Sequence, residues 1–183
     1  MKKVSVVRLD ESVQRILGID PGLAASGWGV VEQKESRVSY VAHGCIETTS
    51  GQNHAERLLA IYKEIKSVIK KWKPETGAIE SLYFARNAKS AMPVAEASGV
   101  LRMAIAEAGI PVYEYNPNEI KKAITGVARA EKSQVQEMTR LILGLEKIPC
   151  PDHSADALGA AICCAHSNLY QEGKVNVKRK TKK

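Results

Sequence analysis

Two carboxylates stand at the ends of short apolar segments. Asp20 closes the run ILGID, and Glu80 closes the run GAIE. A carboxylate among apolar strand residues is costly to bury unless it is paired or binds a cation, so both positions are candidates for chemistry. Taken singly, each acid also fits a structural role, in which it caps its strand and hydrogen-bonds the turn that follows.

A third polar group opens a segment made otherwise of small apolar residues, DHSADALGAAICCAH. His153 and Asp156 are three residues apart and would share one face of a helix. The small apolar neighbours of Asp156 make it hard to explain as part of a solvated helix face. Because this helix consists mainly of Ala, Gly and Cys, we also expect it to pack closely against its surroundings.

Three separated acids, with a histidine one turn from one of them, are a plausible ligand set for divalent metal. Oxygen ligands favour Mg²⁺ or Mn²⁺. Two such ions about 3.5–4 Å apart would activate a water molecule and stabilise the departing oxygen in phosphodiester cleavage. Spacing alone leaves this a hypothesis.

The segments that must position these residues alternate between strand and helix patterns. A strand precedes Asp20, a hairpin follows it, and residues 53–72 carry apolar residues at helical spacing. A strand ending at Glu80, a helix over 90–108, a strand over 110–115 and three further helical segments complete the order. In the segment around 130–144 we expect one apolar side, formed by Val135, Met138, Leu141 and Ile142. This order predicts an α/β fold in which a mixed sheet is flanked by helices.

The composition fits one soluble domain. The chain has 183 residues, 44% of them apolar and 26% charged, and its net charge is +7. Residues 174–183 hold six Lys or Arg and no acid, which leaves +1 on residues 1–173. Any nucleic-acid surface on the folded body must therefore be a local patch.

With no apolar run near 18 residues and no signal peptide in the first residues, a cytoplasmic protein is expected. The four cysteines show neither metal nor disulfide spacing and are interpreted as small buried residues.

Four ordered motifs carry a resemblance to a known family. ILGIDPGLAASGWGVV, AIESLYFARNAKSA, AEKSQVQEM and HSADALGAAI resemble the RuvC family of bacterial Holliday-junction resolvases from about residue 16 to residue 165. The resemblance implies an RNase H-like fold with a five-stranded sheet and a homodimer that binds a four-way DNA junction. It further implies Mg²⁺-dependent nicking of two symmetry-related strands, with 5′-phosphate products, in recombination and DNA repair. A RuvA/RuvB-type branch-migration complex is a further partner that the family suggests.

The resemblance also assigns roles to single residues. It implies that Asp20, Glu80 and Asp156 bind two metal ions per active site, with Mn²⁺ able to substitute for Mg²⁺. His153 takes the place of an acid that many members have, and it is interpreted as the fourth ligand, against the alternative that it only packs at the start of its helix. The neighbouring Asp152 is one residue out of register and is interpreted as the helix N-cap. Lys121 and Lys132 match lysines beside the scissile phosphate.

DNA contacts are expected around the segment SLYFARNAK. Tyr83 matches an aromatic that stacks on bases opened at the junction, whereas without the resemblance it would be a simple rim aromatic. Arg86, Asn87 and Lys89 flank it and suit phosphate contacts. We place an N-terminal extension at 1–15, the nuclease domain at 16–170 and a flexible basic tail at 171–183. The tail is interpreted either as a source of sequence-independent DNA affinity or as an aid to solubility.

Three other functions compete with this interpretation of the sequence. An RNase H-like nuclease acting on ribosomal RNA precursors would share the strand-end Asp. A sugar-kinase or actin-like ATPase would need a duplicated domain and a second phosphate loop, which 183 residues do not supply. A non-catalytic junction-binding module would not need acids at all three family positions.

Overall fold

The computed structural model describes residues 13–81 and 88–180. Strands and helices alternate along these residues in the order that the sequence predicts. Their bounds are β1 Gln14–Asp20, β2 Ala25–Lys34, β3 Arg37–Glu47, α1 His54–Trp72, β4 Thr76–Glu80, α2 Ala88–Glu107, β5 Val112–Tyr115, α3 Pro117–Thr125, α4 Lys132–Leu143 and α5 Asp152–Lys180. In the described part of the chain, no helix is both long enough and apolar enough to cross a membrane.

The strands form one five-stranded sheet in the order β3-β2-β1-β4-β5. The hairpins pair β1 with β2 and β2 with β3 in antiparallel fashion, whereas β1, β4 and β5 are parallel. Parallel neighbours require a crossover, which α1 and α2 supply. The mixed sheet flanked by helices, predicted from the sequence, is confirmed.

Alternation along the strands gives the sheet two different sides. Leu17, Ile19 and Ile79 point to the side covered by α1 and α2. Ile16 and Ala78 point to the opposite side, where α3, α4 and α5 pack. Because successive strand residues point to opposite sides, Asp20 and Glu80 face α5.

Glycines let α5 cross the sheet at very short range. A Cβ atom on Gly18 would lie 1.9 Å from the carbonyl oxygen of Ala157, and one on Gly27 would lie 1.9 Å from that of His153. Most of the buried side chains of α5 are small, as the sequence predicted, and the larger Leu158 packs where Gly29 leaves room for it. This close contact fixes the first turn of α5 beside the end of β1.

Two elements extend past the expected domain boundaries, which stay predictions. β1 begins at Gln14, two residues before the expected start of the domain, because Gln14 and Arg15 pair with Gln33 and Glu32. The backbone of α5 is helical through Lys180, and the basic tail expected at 171–183 stays a prediction. Lys and Arg have good helix propensity and extend an existing helix at little cost.

The structure also differs from two expectations about side-chain burial. Leu141, assigned to the buried side of its helix, is 54% exposed, and Leu143 takes the buried position. Cys163 and Cys164 are buried as expected, but Cys150 is exposed in the loop before α5, and Cys45 is half-buried.

Candidate active site

The two strand-end acids lie side by side. β1 and β4 are parallel neighbours with Ile19 opposite Ile79, so Asp20 and Glu80 are the next residues on adjacent strands. Both side chains point to the α5 side of the sheet, because the isoleucines before them point to the other side. Parallel strands therefore bring together two acids that are 60 residues apart in sequence.

The first turn of α5 adds the histidine. His153 Nδ1 lies 2.6 Å from Asp20 Oδ2, and with the proton on Nδ1 the imidazole donates to the carboxylate. Ser154, which is buried, donates from Oγ to the backbone oxygen of Gly44 on β3 at 2.9 Å. The close approach to Gly27 and this hydrogen bond both orient the turn that carries His153.

The N-terminus of α4 brings Lys132 to the third acid. Lys132 Nζ lies 3.3 Å from Asp156 Oδ2 and 3.0 Å from Asp152 Oδ2. Asp152 also accepts a hydrogen bond of 3.1 Å from Gln136 Nε2. Interpreting Asp152 as the helix N-cap was wrong, since it lies in the first turn of α5 and its carboxylate is bonded to α4.

Asp152 and Gln136 are thus two residues of this site that the sequence interpretation missed. A signal was available in the spacing. Lys132 and Gln136 are four residues apart on one helix, and so are Asp152 and Asp156 on another, so each pair shares a helix face.

Burial and like charges raise the proton affinity of the strand-end acids. Burial raises the pKa of Glu80 to about 7, and the neighbouring charges of Asp20 and Asp156 act in the same direction. Burial is also the main reason that the pKa of Asp20 is raised, opposed first by the hydrogen bond from His153. Lys132 and Lys121 partly offset this repulsion at Glu80, which places both expected lysines near the acids.

Asp20 and Asp156 are close enough to raise the pKa of Glu80, but the oxygens of the three acids do not converge on one point. Within residues 13–81 and 88–180, no three His, Cys, Asp or Glu side chains are arranged as a ready cation cage. Two contacts explain this. His153 Nδ1 contacts the carboxylate of Asp20, and Lys132 Nζ forms an ion pair with Asp156. The protein's own cationic or donor groups thus engage two of the three acids.

Most of the expected DNA-contacting residues are not among the residues that the structure describes. Tyr83, Arg86 and Asn87 lie outside the described residues, and Lys89 is described only as part of the α2 backbone. Glu80 ends β4 immediately before this segment, so the segment starts next to the acids.

A mixed sheet of this order, with acids at the ends of β1 and β4 and in the first turn of α5, defines an RNase H-like protein of the nuclease class. The family described as crossover junction endodeoxyribonuclease RuvC matches residues 16–164. The chain belongs to this family.

Individual relatives agree with that assignment. A crossover junction endodeoxyribonuclease RuvC of Treponema denticola is 52% identical over 160 residues, covering 87% of this chain and 89% of the relative. A Thermus thermophilus RuvC in complex with a Holliday junction substrate superposes with a TM-score of 0.82 at 34% identity, covering 86% of this chain and 96% of that one. The yeast mitochondrial resolvase Ydc2, at 15% identity and a TM-score of 0.63, shares the fold.

Proposed function

We propose that this protein resolves Holliday junctions by paired, symmetric nicks in recombination and DNA repair, leaving 5′-phosphate ends. The observation that supports this most directly is the meeting of Asp20, Glu80 and Asp156 at one edge of the sheet in a chain of the RuvC family. The similar Thermus protein was solved with a junction substrate. Acids at all three positions argue against a module that only binds junctions.

The test is a cleavage assay with a synthetic mobile four-way junction and Mg²⁺, in which nicks are mapped on all four strands. Two nicks at symmetry-related positions with ligatable 5′-phosphate ends are the expected result. Structured ribosomal RNA is the matched alternative substrate. Preferential cleavage of that RNA would overturn the proposal in favour of an RNA-processing nuclease.

The acids fit a pair of Mg²⁺ ions per active site, for which Mn²⁺ could substitute. Asp20, Glu80 and Asp156 supply the hard oxygen ligands that these ions prefer. Burial and, to a smaller extent, the neighbouring charge of Asp156 raise the pKa of both Asp20 and Glu80, and bound cations would stabilise the ionised carboxylates against both effects. When bound, the ions would supply an activated water and stabilise the leaving oxygen.

His153 is proposed as the fourth ligand. Its Nδ1 is engaged by Asp20, so the other ring nitrogen would be the one available to a cation. A histidine ligand that donates its second N–H to a carboxylate is a common arrangement, because the carboxylate fixes the tautomer. Lys121 and Lys132 would stabilise charge on the oxygens of the scissile phosphate.

Base stacking by Tyr83 and phosphate contacts from Arg86, Asn87 and Lys89 remain part of the proposal. Support comes from their place in the sequence directly after Glu80. The division into an extension at 1–15, a domain at 16–170 and a basic tail at 171–183, the cytoplasmic location and a RuvA/RuvB-type partner also remain predictions.

A homodimer is supported by one exposed stripe on α2. Met92 and Met103 are 59% and 56% exposed, and Gly99 lies between them with open space where a Cβ would be. Gly99 is seven positions after Met92 and four before Met103, so the three residues share one side of the helix. The glycine would allow a second helix to approach closely.

Sedimentation should give a dimer for the wild type and a monomer for Met103→Glu. Leu141→Glu, which changes an exposed apolar residue on a different helix, α4, is the matched control and should stay dimeric.

A further inference from the structure

Two residue pairs face one another between α4 and α5. Lys132 and Gln136 are one turn apart on α4, and Asp152 and Asp156 are one turn apart on α5. Lys132 Nζ contacts a carboxylate oxygen of each acid, at 3.0 Å for Asp152 and 3.3 Å for Asp156. Gln136 Nε2 holds the other oxygen of Asp152 at 3.1 Å. The ammonium group is therefore shared by two acids, and one of these is itself oriented by a neighbour.

The two acids are not equivalent. The Asp156 side chain is 28% exposed and belongs to the proposed metal-binding set, whereas that of Asp152 is 67% exposed and does not. An exposed ion pair contributes little to the free energy of unfolding, so stability is a weak explanation for the Asp152 contact. Asp152 contacts Lys132, which is proposed to act on the scissile phosphate, and this contact points to another role.

We propose that Asp152 is a positioning residue that keeps Lys132 at the reaction centre when Asp156 is engaged by a cation. This inference rests on the proposed function. A cation at Asp156 would use the carboxylate that now contacts Lys132 and would repel the ammonium group. Asp152 then remains as the counter-charge that holds Nζ near the scissile phosphate, and Gln136 keeps its carboxylate turned toward α4.

Without Asp152, the ammonium group of Lys132 has two alternative positions, and both are unfavourable for cleavage. It can stay on Asp156, where it competes with the cation, or it can turn into solvent, where a long flexible side chain is mobile. The first outcome weakens metal binding, and the second removes positive charge from the reacting phosphate. Asp152→Asn is the sharpest variant, because the amide keeps the size of the side chain and an oxygen for Gln136 but removes the charge.

The rate of junction cleavage is measured under single-turnover conditions at saturating Mg²⁺. Asp152→Asn should slow nicking about tenfold, with junction affinity measured in Ca²⁺ unchanged within about twofold. Asp152→Glu, which restores the charge, should recover most of the rate. Glu137→Gln is the control. It removes an exposed acid of α4 that is paired with Arg140 and not with Lys132, and it should nick like the wild type.

A double-mutant cycle decides whether the effect passes through Lys132. In a Lys132→Ala background, Asp152→Asn should change the nicking rate by less than about twofold, because the group that it positions is gone. An equal loss in both backgrounds would overturn the inference and indicate a structural role for Asp152. Wild-type rates in Asp152→Asn would overturn it as well.

Calorimetric titration with Mn²⁺ alone, without DNA, provides a readout that does not depend on cleavage. Asp152→Asn should weaken Mn²⁺ binding about threefold or more when Lys132 is present, and by less than twofold when it is absent. If the wild type binds Mn²⁺ with this coupling but does not nick junctions, the proposed function fails and the placement of Lys132 by Asp152 stands. If it nicks junctions and neither cycle shows coupling, only this inference fails. If it neither nicks nor shows the coupling, both fail.

Discussion

Nδ1 of His153 lies 2.6 Å from Oδ2 of Asp20, although 133 residues separate them in sequence. The contact joins the end of the first strand to the first turn of the last helix. Glycines on β1 and β2 allow it, because a side chain at Gly27 would collide with the backbone of His153. The site is therefore built on backbone contact between α5 and the sheet.

Replacing Glu80 should separate chemistry from folding. Glu80→Gln should reduce nicking by about 100-fold or more, since it removes a proposed metal ligand. The metal-free protein should at the same time keep or gain stability, because a buried carboxylate beside two others is repelled. Asp20→Asn should show the same loss of nicking and the same unchanged or raised stability. A large fall in melting temperature in both variants would instead indicate that these acids are structural caps.

The pH dependence of stability gives the same carboxylate a second test. The pKa of Glu80 is raised from 4.5 to about 7 in the folded state, so the folded protein binds this proton more tightly than the unfolded chain does. The stabilisation that the folded state gains from this tighter proton binding is therefore fully present below about pH 4.5 and is lost as pH rises through about 7. In EDTA, the advantage of Glu80→Gln over wild type should grow between pH 5 and pH 8, by an amount on the order of 1–3 kcal/mol. Urea unfolding measures this, and an advantage that does not change with pH would contradict it.

The contact between α5 and the sheet predicts the effect of a single methyl group. In Gly18→Ala, the new Cβ would lie 1.9 Å from the carbonyl oxygen of Ala157 and 2.8 Å from the backbone nitrogen of Ala161. Because both atoms belong to the helix backbone, α5 must shift, and we expect a loss of about 1–3 kcal/mol together with reduced nicking. Gly51→Ala is the control, since its nearest neighbour is a side-chain oxygen at 4.0 Å. Equal stability of the two variants would show that α5 does not depend on this close approach.

The family resemblance implied that Asp20, Glu80, His153 and Asp156 form one site, and their role as metal ligands stays a proposal. The sequence itself predicted the mixed sheet and the order of elements, because these depend on apolar patterning. It did not predict the ion pair of Lys132 with Asp152, since that contact depends on how α4 packs against α5. Leu141 was misplaced for a similar reason. An amphipathic pattern gives the buried side of a helix only to within about one residue, and here Leu143 fills the position that contacts the core.

Tyr83 should affect the opening of the junction more than its binding. Stacking tolerates any base and competes with the base stack of the duplex, at about 1–3 kcal/mol per base. Tyr83→Ala should therefore slow nicking of an intact mobile junction at least tenfold more than nicking of a junction with unpaired bases at the crossover. Nick rates on the two substrates measure this, with Tyr83→Phe as the control that keeps the ring. Equal losses on both substrates would remove the stacking role.

His153 should set the preference of the site for one metal over another. Mg²⁺ favours hard oxygen ligands, whereas imidazole suits Mn²⁺ better, so a histidine ligand should raise activity with Mn²⁺ relative to Mg²⁺ at limiting metal. His153→Asp supplies a carboxylate at the same place and should shift the ratio of the two rates toward Mg²⁺ severalfold. His153→Ala should lower activity with both ions, because it removes the ligand and also the hydrogen bond to Asp20. His153→Asn separates these two effects, since it keeps a hydrogen-bond donor near Asp20 without supplying an imidazole. Wild-type nicking by His153→Ala at limiting Mg²⁺ and Mn²⁺ alike would mean that His153 only packs at the start of α5, and that the site depends on its three carboxylates.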